Sequence, residues 1–380
     1  MGQTRQLSRS NISSVDTQNK LTIKRQNILG MPLEDLVTFF NEIKEKDYRA
    51  KQLMQWIYSK HIYDFDLMTN FNLELRSHLN QNCSLDFDNA IRNEISEDGT
   101  QKWLIGKKDN QIIETVFIPE EKRGTLCISS QVGCLIDCPF CATGHQGFNR
   151  NLSSSEIIGQ VLLARKELDE GRLTNIVFMG MGEPLANYPE VIKAIKILND
   201  PHGCNISRRR ITVSTSGLVP QLYKLSEEVG VSLAVSLHAA NDELRDELVP
   251  INRKHPIGEL LDACWHYADR QNLRSVTFEY TMLKGVNDSI KDAKQLSNLL
   301  KNKPAKVNLI PFNPFPGVKF KPTDQNKIND FRNILLESGI MTTTRKTRGD
   351  DIQAACGQLS GQVMNLAKKT LRQKLKKTLH

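Results

Sequence analysis

From residue 124 onward the chain alternates short apolar segments with amphipathic ones, and this alternation limits the fold more than any other feature. Thr125–Gln131, Asn175–Met181, Arg210–Ser216, Val231–Leu237, Val276–Met282 and Val307–Pro311 are short, apolar and rich in β-branched residues, so they read as buried strands. Helical periodicity fills residues 154–169, 188–199, 219–229, 258–271 and 289–301 between them. The first of these opens with a capping box, Ser153 and Glu156. Repeated strand–helix units build a parallel sheet covered by helices, hence an α/β fold. An open doubly wound sheet and a partial β/α barrel both satisfy the pattern. In either, functional residues belong at the C-terminal ends of strands.

Upstream the pattern differs. A helical repeat starts at Met31-Pro32 with Leu36, Phe40 and Ile43 on one face, and a second places Ala50, Leu53, Met54 and Ile57 in register. Two strands, Lys102–Gly106 and Gln111–Pro119, follow around an Asp109-Asn110 turn. The expected division is a basic tail (1–28), a helical accessory domain (29–90), a β-hairpin linker (91–123), the α/β unit (124–349), a loop around Cys356 (350–362) and a second basic tail (363–380). Net charge is +8, yet residues 1–28 carry +4 and residues 363–380 carry +6, leaving a nearly neutral body. Such tails suit capture of a polyanion such as RNA, and equally serve as solubilising extensions. Arg208-Arg209-Arg210 and Arg345-Lys346-Thr347-Arg348 are further candidate phosphate contacts. No segment reaches the roughly 18–20 apolar residues of a membrane span, and the N-terminus lacks the apolar region of a secretory signal. The expectation is a cytoplasmic protein with no membrane partner.

Eight cysteines in such a chain read as reduced, metal-binding or catalytic thiols. The sharpest group is Cys134-Leu-Ile-Asp-Cys138-Pro-Phe-Cys141, three thiols within eight residues. On spacing alone, a zinc site completed by Cys127 or His145 competes with a four-iron cluster that leaves one iron open. Gly180-Met181-Gly182-Glu183-Pro184 follows the next strand. Its glycines permit close approach of a ligand, Glu183 can accept hydrogen bonds from an ammonium group, and a plain turn explains the same residues.

Taken together these segments resemble the radical S-adenosylmethionine (SAM) superfamily. More narrowly they are similar to the bacterial RNA adenine-C2 methyltransferases. The matching stretches are ETVFIP (114–119), CISSQVGC (127–134), CPFCATG (138–144), GMGEP (180–184), VSTSG (213–217), SLHA (236–239), IPFNP (310–314) and DDIQAACGQL (350–359). They run in order across roughly residues 30–362. The related C8 methyltransferases share the cysteine set.

The resemblance implies a partial (β/α)6 radical-SAM barrel with a small N-terminal helical domain. It implies that Cys134, Cys138 and Cys141 hold a [4Fe–4S] cluster whose open iron is chelated by SAM. Gly182 and Glu183 would meet the SAM amino group, and Ser214, Ser236, His238 and Asn313 the rest of it. Two SAM molecules serve one turnover in this family. Cys356 takes a methyl group from the first, and a 5′-deoxyadenosyl radical from the second activates that methyl for addition to C2 of adenosine. A base, for which Glu114 is the candidate, removes the C2 proton. Cys127 then attacks Cys356 and releases the product, leaving a disulfide. Implied substrates are 23S rRNA at position 2503 and certain tRNAs at position 37. Implied partners are an external one-electron donor such as flavodoxin and a thiol reductant, with the enzyme acting as a monomer.

Overall fold

A computed structural model describes residues 25–360. Residues 1–24 of the first basic tail and the whole of the second lie outside the described residues. Ten strands form one sheet: β1 (Ala90–Ile95), β2 (Gln101–Gly106), β3 (Ile112–Pro119), β4 (Gly124–Cys127), β5 (Asn175–Phe178), β6 (Ile211–Thr215), β7 (Ser232–Ser236), β8 (Val276–Met282), β9 (Ala305–Pro311) and β10 (Met341–Thr344). Their order across the sheet is their order along the chain. Strands β1 to β4 pair antiparallel, and β4 to β10 pair parallel. The end strands β1 and β10 do not pair, so the sheet is an open, partial β/α barrel.

Three features differ from the sequence reading. The parallel set has a seventh strand, β10, whose Met-Thr-Thr-Thr lacks an apolar run but supplies β-branched residues that fit a pleated edge. The hairpin segment contains a third strand, β1, and is hydrogen-bonded to β4 as part of the same sheet. The strand expected over Thr125–Gln131 ends at Cys127. There the side chain of Gln160 replaces ladder bonds to the Ser129 backbone, Ser129 N–H donating to Gln160 Oε1 at 2.8 Å and Gln160 Nε2 donating to Ser129 O at 2.9 Å. The chain then forms a short antiparallel pair, Gln131–Gly133 with Phe148–Asn151, that closes the neck of the cysteine loop.

Helices Ser154–Glu167, Tyr188–Asn199, Val219–Glu228, Ile257–Arg270 and Ile290–Leu300 cover the sheet as the periodicity predicts, and Gln325–Glu337 is added before β10. The Ser153–Glu156 capping box is present in both directions. No described helix is long and apolar enough to cross a membrane. The N-terminal module is built on helices Leu33–Glu42, Tyr48–Met54 and Leu73–Asn82, and Leu36, Phe40, Leu53 and Leu79 belong to the same continuous core as the barrel helices.

After β10, residues 345–360 run from that sheet edge to the opposite one. Gly349 N–H donates to Asp98 Oδ2 at 3.2 Å, Ser96 Oγ donates to Asp351, and Lys102 Nζ donates to Ile352 O. The same strap touches the cysteine loop, with Ala142 N–H donating to Gly357 O at 2.8 Å and Thr143 Oγ1 to Leu359 O at 2.6 Å. Cys356 therefore sits on a strap tied at both sheet edges and at the loop carrying the three cysteines.

Candidate active site

Two cavities meet at Cys356. The first lies at the C-terminal strand ends and is lined by Cys134, Cys138 and Cys141, by Gly182 and Glu183, and by Ser214, Ser236 and His238. The second runs down the inside of the sheet and is lined by Cys127, Asn313, Glu279 and Arg345, with Arg123, Lys346 and Arg348 among its exposed or half-exposed residues. Cys356 lines both.

The three loop cysteines are half-buried free thiols packed against a small apolar cluster of their own, with Ile136, Phe140 and Phe312. Burial pushes the Cys134 thiol up to about 12 and raises Cys138 well above the usual thiol range, and a bound metal would favour the thiolate form of both. Among the described residues no three His, Cys, Asp or Glu side chains converge tightly enough for a single metal ion. Three thiols spread around one cavity suit a cluster in which each thiolate takes its own iron. The two candidates for a fourth zinc ligand are committed elsewhere. Cys127 is in the second cavity, and His145 Nε2 stands 2.8 Å from Pro139 O.

Gly182 and Glu183 occupy a constrained turn. Gly182 has φ +100°, and a Cβ there would lie 2.5 Å from Gln131 Cβ, so only glycine fits. Glu183 is buried; its Oε1 accepts from Leu185 N–H at 3.0 Å and its Oε2 from Ser216 N–H at 2.7 Å. Burial raises its pKa while these donors oppose that shift. The carboxylate lines the cavity, where it can accept from a donor such as an ammonium group.

His238 packs edge-on against Phe140 at 4.8 Å between ring centroids. Its Nδ1 accepts from Thr281 N–H at 3.0 Å, which assigns the proton to Nε2. Burial, reinforced by Arg245, pulls its pKa down to about 3. Arg245 was not singled out by the sequence reading, because Asp-Glu-Leu-Arg-Asp-Glu-Leu reads as a solvated helix. It is fully buried, and its guanidinium donates to Leu237 O at 3.1 Å, Ser216 O at 2.7 Å, Ser236 O at 3.0 Å and Asn252 Oδ1 at 2.8 Å. It thereby fixes the ends of β6 and β7 where Ser214 and Ser236 face the cavity.

Asn313 faces the strap, its Nδ2 donating to Cys356 O at 3.3 Å, and it lines the second cavity but not the first. Cys127 is buried at the end of β4, and burial together with the neighbouring Cys356 pushes its thiol up to about 12. Burial also raises the Cys356 thiol, against the pull of Arg345. Glu114 lines neither cavity. It lies beneath the end of the strap, where its Oε2 accepts from Ser360 N–H at 3.0 Å and burial raises its pKa to about 7. The Arg208–Arg210 run forms an exposed turn at the N-terminal end of β6, the opposite end from the first cavity.

Known proteins match nearly the whole chain. The family description for the N-terminal domain of ribosomal RNA large subunit methyltransferases matches residues 26–85, and that of the radical SAM superfamily matches residues 128–296. A dual-specificity RNA methyltransferase RlmN of Francisella tularensis subsp. novicida (strain U112) is 50% identical over 347 residues, covering 89% of this chain and 94% of the relative. Its namesake from Halorhodospira halophila is 49% identical over 336 residues, covering 88% and 94%. The crystal structure of a radical SAM methyltransferase from Sphaerobacter thermophilus superposes with a TM-score of 0.82 at 45% identity, covering 88% of this chain and 99% of that one.

Proposed function

The chain belongs to the RlmN family of radical SAM RNA methyltransferases, and from that premise we propose that it methylates C2 of adenosine in 23S rRNA and tRNA through a methyl group carried on Cys356. The observation that carries this reading is the position of Cys356 between two cavities. One holds three metal-competent thiols and a carboxylate suited to an ammonium group. The other holds a second thiol and several basic residues. A [4Fe–4S] cluster on Cys134, Cys138 and Cys141, with SAM beside Glu183, would supply the methyl group and the one-electron chemistry.

The remaining work falls to side chains of this chain. Glu183 orients SAM by accepting from its amino group, and the neutral His238 offers a fixed Nε2 donor. Ser214 and Ser236 complete that wall, and Asn313 holds the carbonyl of Cys356. Cys356 presents its methylthioether to the base. Glu114, whose pKa burial raises to about 7, accepts the C2 proton once Ser360 leaves its carboxylate. Cys127 then displaces the product from Cys356, and the resulting disulfide is reduced by an external thiol. A one-electron donor outside the chain is also required.

The test is the Cys127→Ala protein, purified from cells that supply native RNA. It should retain about four irons per chain and show a nuclease-sensitive, slow-migrating band on denaturing gels, because nothing remains to release the RNA from Cys356. Adding Cys356→Ala should remove the band. Digested RNA from wild-type reactions should contain 2-methyladenosine. Normal turnover without an adduct, or 8-methyladenosine as the main product, would overturn the assignment.

A further inference from the structure

Two ionic groups stand incompletely paired where the cavities meet, and the chemistry above uses neither. Glu279 projects from the middle of β8 and is 4% exposed. Its Oε1 accepts from Asn308 Nδ2 at 3.1 Å, while its buried Oε2 has no partner among the described residues. It lines both cavities. Arg345, the first residue after β10, is anchored by its backbone N–H to Leu309 O at 2.8 Å and lines the second cavity. Among the described residues, its guanidinium makes one side-chain contact of this kind, to Met179 Sδ at 3.8 Å. The two groups feel each other's charge without forming an ion pair within 4.0 Å.

A buried carboxylate oxygen without a donor is costly, and such groups are normally satisfied by protein, water or ligand. An acceptor-only carboxylate and a donor-only guanidinium on one wall ask for a ligand that presents a donor next to an acceptor. The Watson–Crick edge of adenine does so, with the exocyclic amino group at C6 beside N1. Arg123, Lys346 and Arg348 around the same cavity suit the phosphates flanking such a base.

We infer that Glu279 and Arg345 read the target base: Glu279 Oε2 accepts from the exocyclic amino group, and Arg345 donates to N1. The inference rests on adenosine being the substrate. It adds a reason for the position attacked. C2 is bonded to N1 and lies on the edge so held, whereas C8 is on the far ring of the purine. A donor on N1 also draws electron density from C2 and favours addition of carbon there. Guanine and hypoxanthine invert both contacts, placing a carbonyl against the carboxylate and an N–H against the guanidinium.

The experiment compares RNA carrying adenosine, purine ribonucleoside (no 6-amino group) or inosine at the target position. Methyl transfer is followed by nucleoside mass spectrometry with the full-length, cluster-loaded enzyme. The wild type should favour adenosine over purine by roughly 10- to 100-fold, the loss expected when a charged buried acceptor loses its donor. Glu279→Ala should bring that ratio close to one by slowing adenosine. The isosteric Glu279→Gln, whose amide can donate, should raise inosine relative to adenosine. Equal wild-type rates on adenosine and purine would overturn the inference even if a variant failed to fold. So would a Glu279→Ala enzyme that keeps the wild-type ratio but has a raised KM for SAM, which would place Oε2 on the cofactor. Failure of the functional reading is separately visible as a wild type that forms no 2-methyladenosine on the adenosine RNA.

Discussion

Glu114 and His238 are both buried ionisable groups, and burial disfavours the charged form of each, with opposite consequences for proton transfer. For His238 the charged form is the protonated one, so its pKa falls to about 3 and the ring stays neutral, serving as a fixed donor. For Glu114 the charged form is the carboxylate. Its pKa rises to about 7 despite the opposing Lys102 charge and Ser360 N–H, so it exchanges a proton near neutrality. A carboxylate acting as base must be deprotonated. Removal of the C2 proton from the adduct on Cys356 should therefore rise about tenfold per pH unit below about 7 and level off above it. Glu114→Gln should slow the step and remove that inflection. Single-turnover rates between about pH 5 and pH 9 would check this, and a flat wild-type profile would remove Glu114 from the role. The acidic residue in ETVFIP is visible in the sequence, but its contact with Ser360, 246 positions away, is not. Burial and pKa follow from such long-range contacts, so they become legible only in the folded chain.

At the scale of elements, the turn after β5 and the neck of the cysteine loop act as one piece. Glu183 N–H donates to Gln131 Oε1 at 3.0 Å, and Gln131 Nε2 reaches Asn151 Oδ1 at 2.9 Å on the opposite strand of the neck. Gly182 lies against Gln131 with no room for a methyl group. Gly182→Ala should therefore cost about 1–3 kcal/mol through its positive φ and the overlap. It should also loosen cluster retention, read as iron per chain, and weaken SAM binding, read by calorimetry. Full iron content with unchanged SAM affinity would show that the two pieces are not coupled. Strands β5 to β9 were legible as apolar runs ending in functional motifs, because their burial is written in local pattern. Strand β10 was not, since Met-Thr-Thr-Thr looks like a loop unless its pairing with β9 is known. Glu279 carried a signal that was passed over: a lone carboxylate inside Val-Thr-Phe-Glu-Tyr-Thr-Met is too expensive to bury without a purpose.

Across the whole molecule, the N-terminal module and the barrel share one apolar core. Gly30 is pressed against the start of helix Ser154–Glu167, with Ser154 Oγ donating to Gly30 O at 2.7 Å and an added Cβ only 2.2 Å from Ser155 N. Ion pairs Lys193–Asp35, at 3.0 Å, and Lys196–Glu34 lie along the same contact. The two parts should melt together, in one calorimetric transition, and Gly30→Val should lower that transition by at least several degrees. Two resolved transitions in the wild type would show that the module folds by itself. The sequence sets residues 29–90 apart as a helical accessory domain, but an amphipathic face does not reveal which surface it will meet. The strap from β10 back to the β1–β2 hairpin has a consequence for biosynthesis. Strands are laid down in spatial order, so each new strand can pair with the one before it as the chain emerges. The contact between Ser96 and Asp351 spans 255 positions and has to wait for all ten strands. Cys356 is consequently the last part of the candidate site to be installed. On the proposed function, a nascent chain that has not completed its sheet carries no docked Cys356 and cannot begin chemistry on the RNA around it.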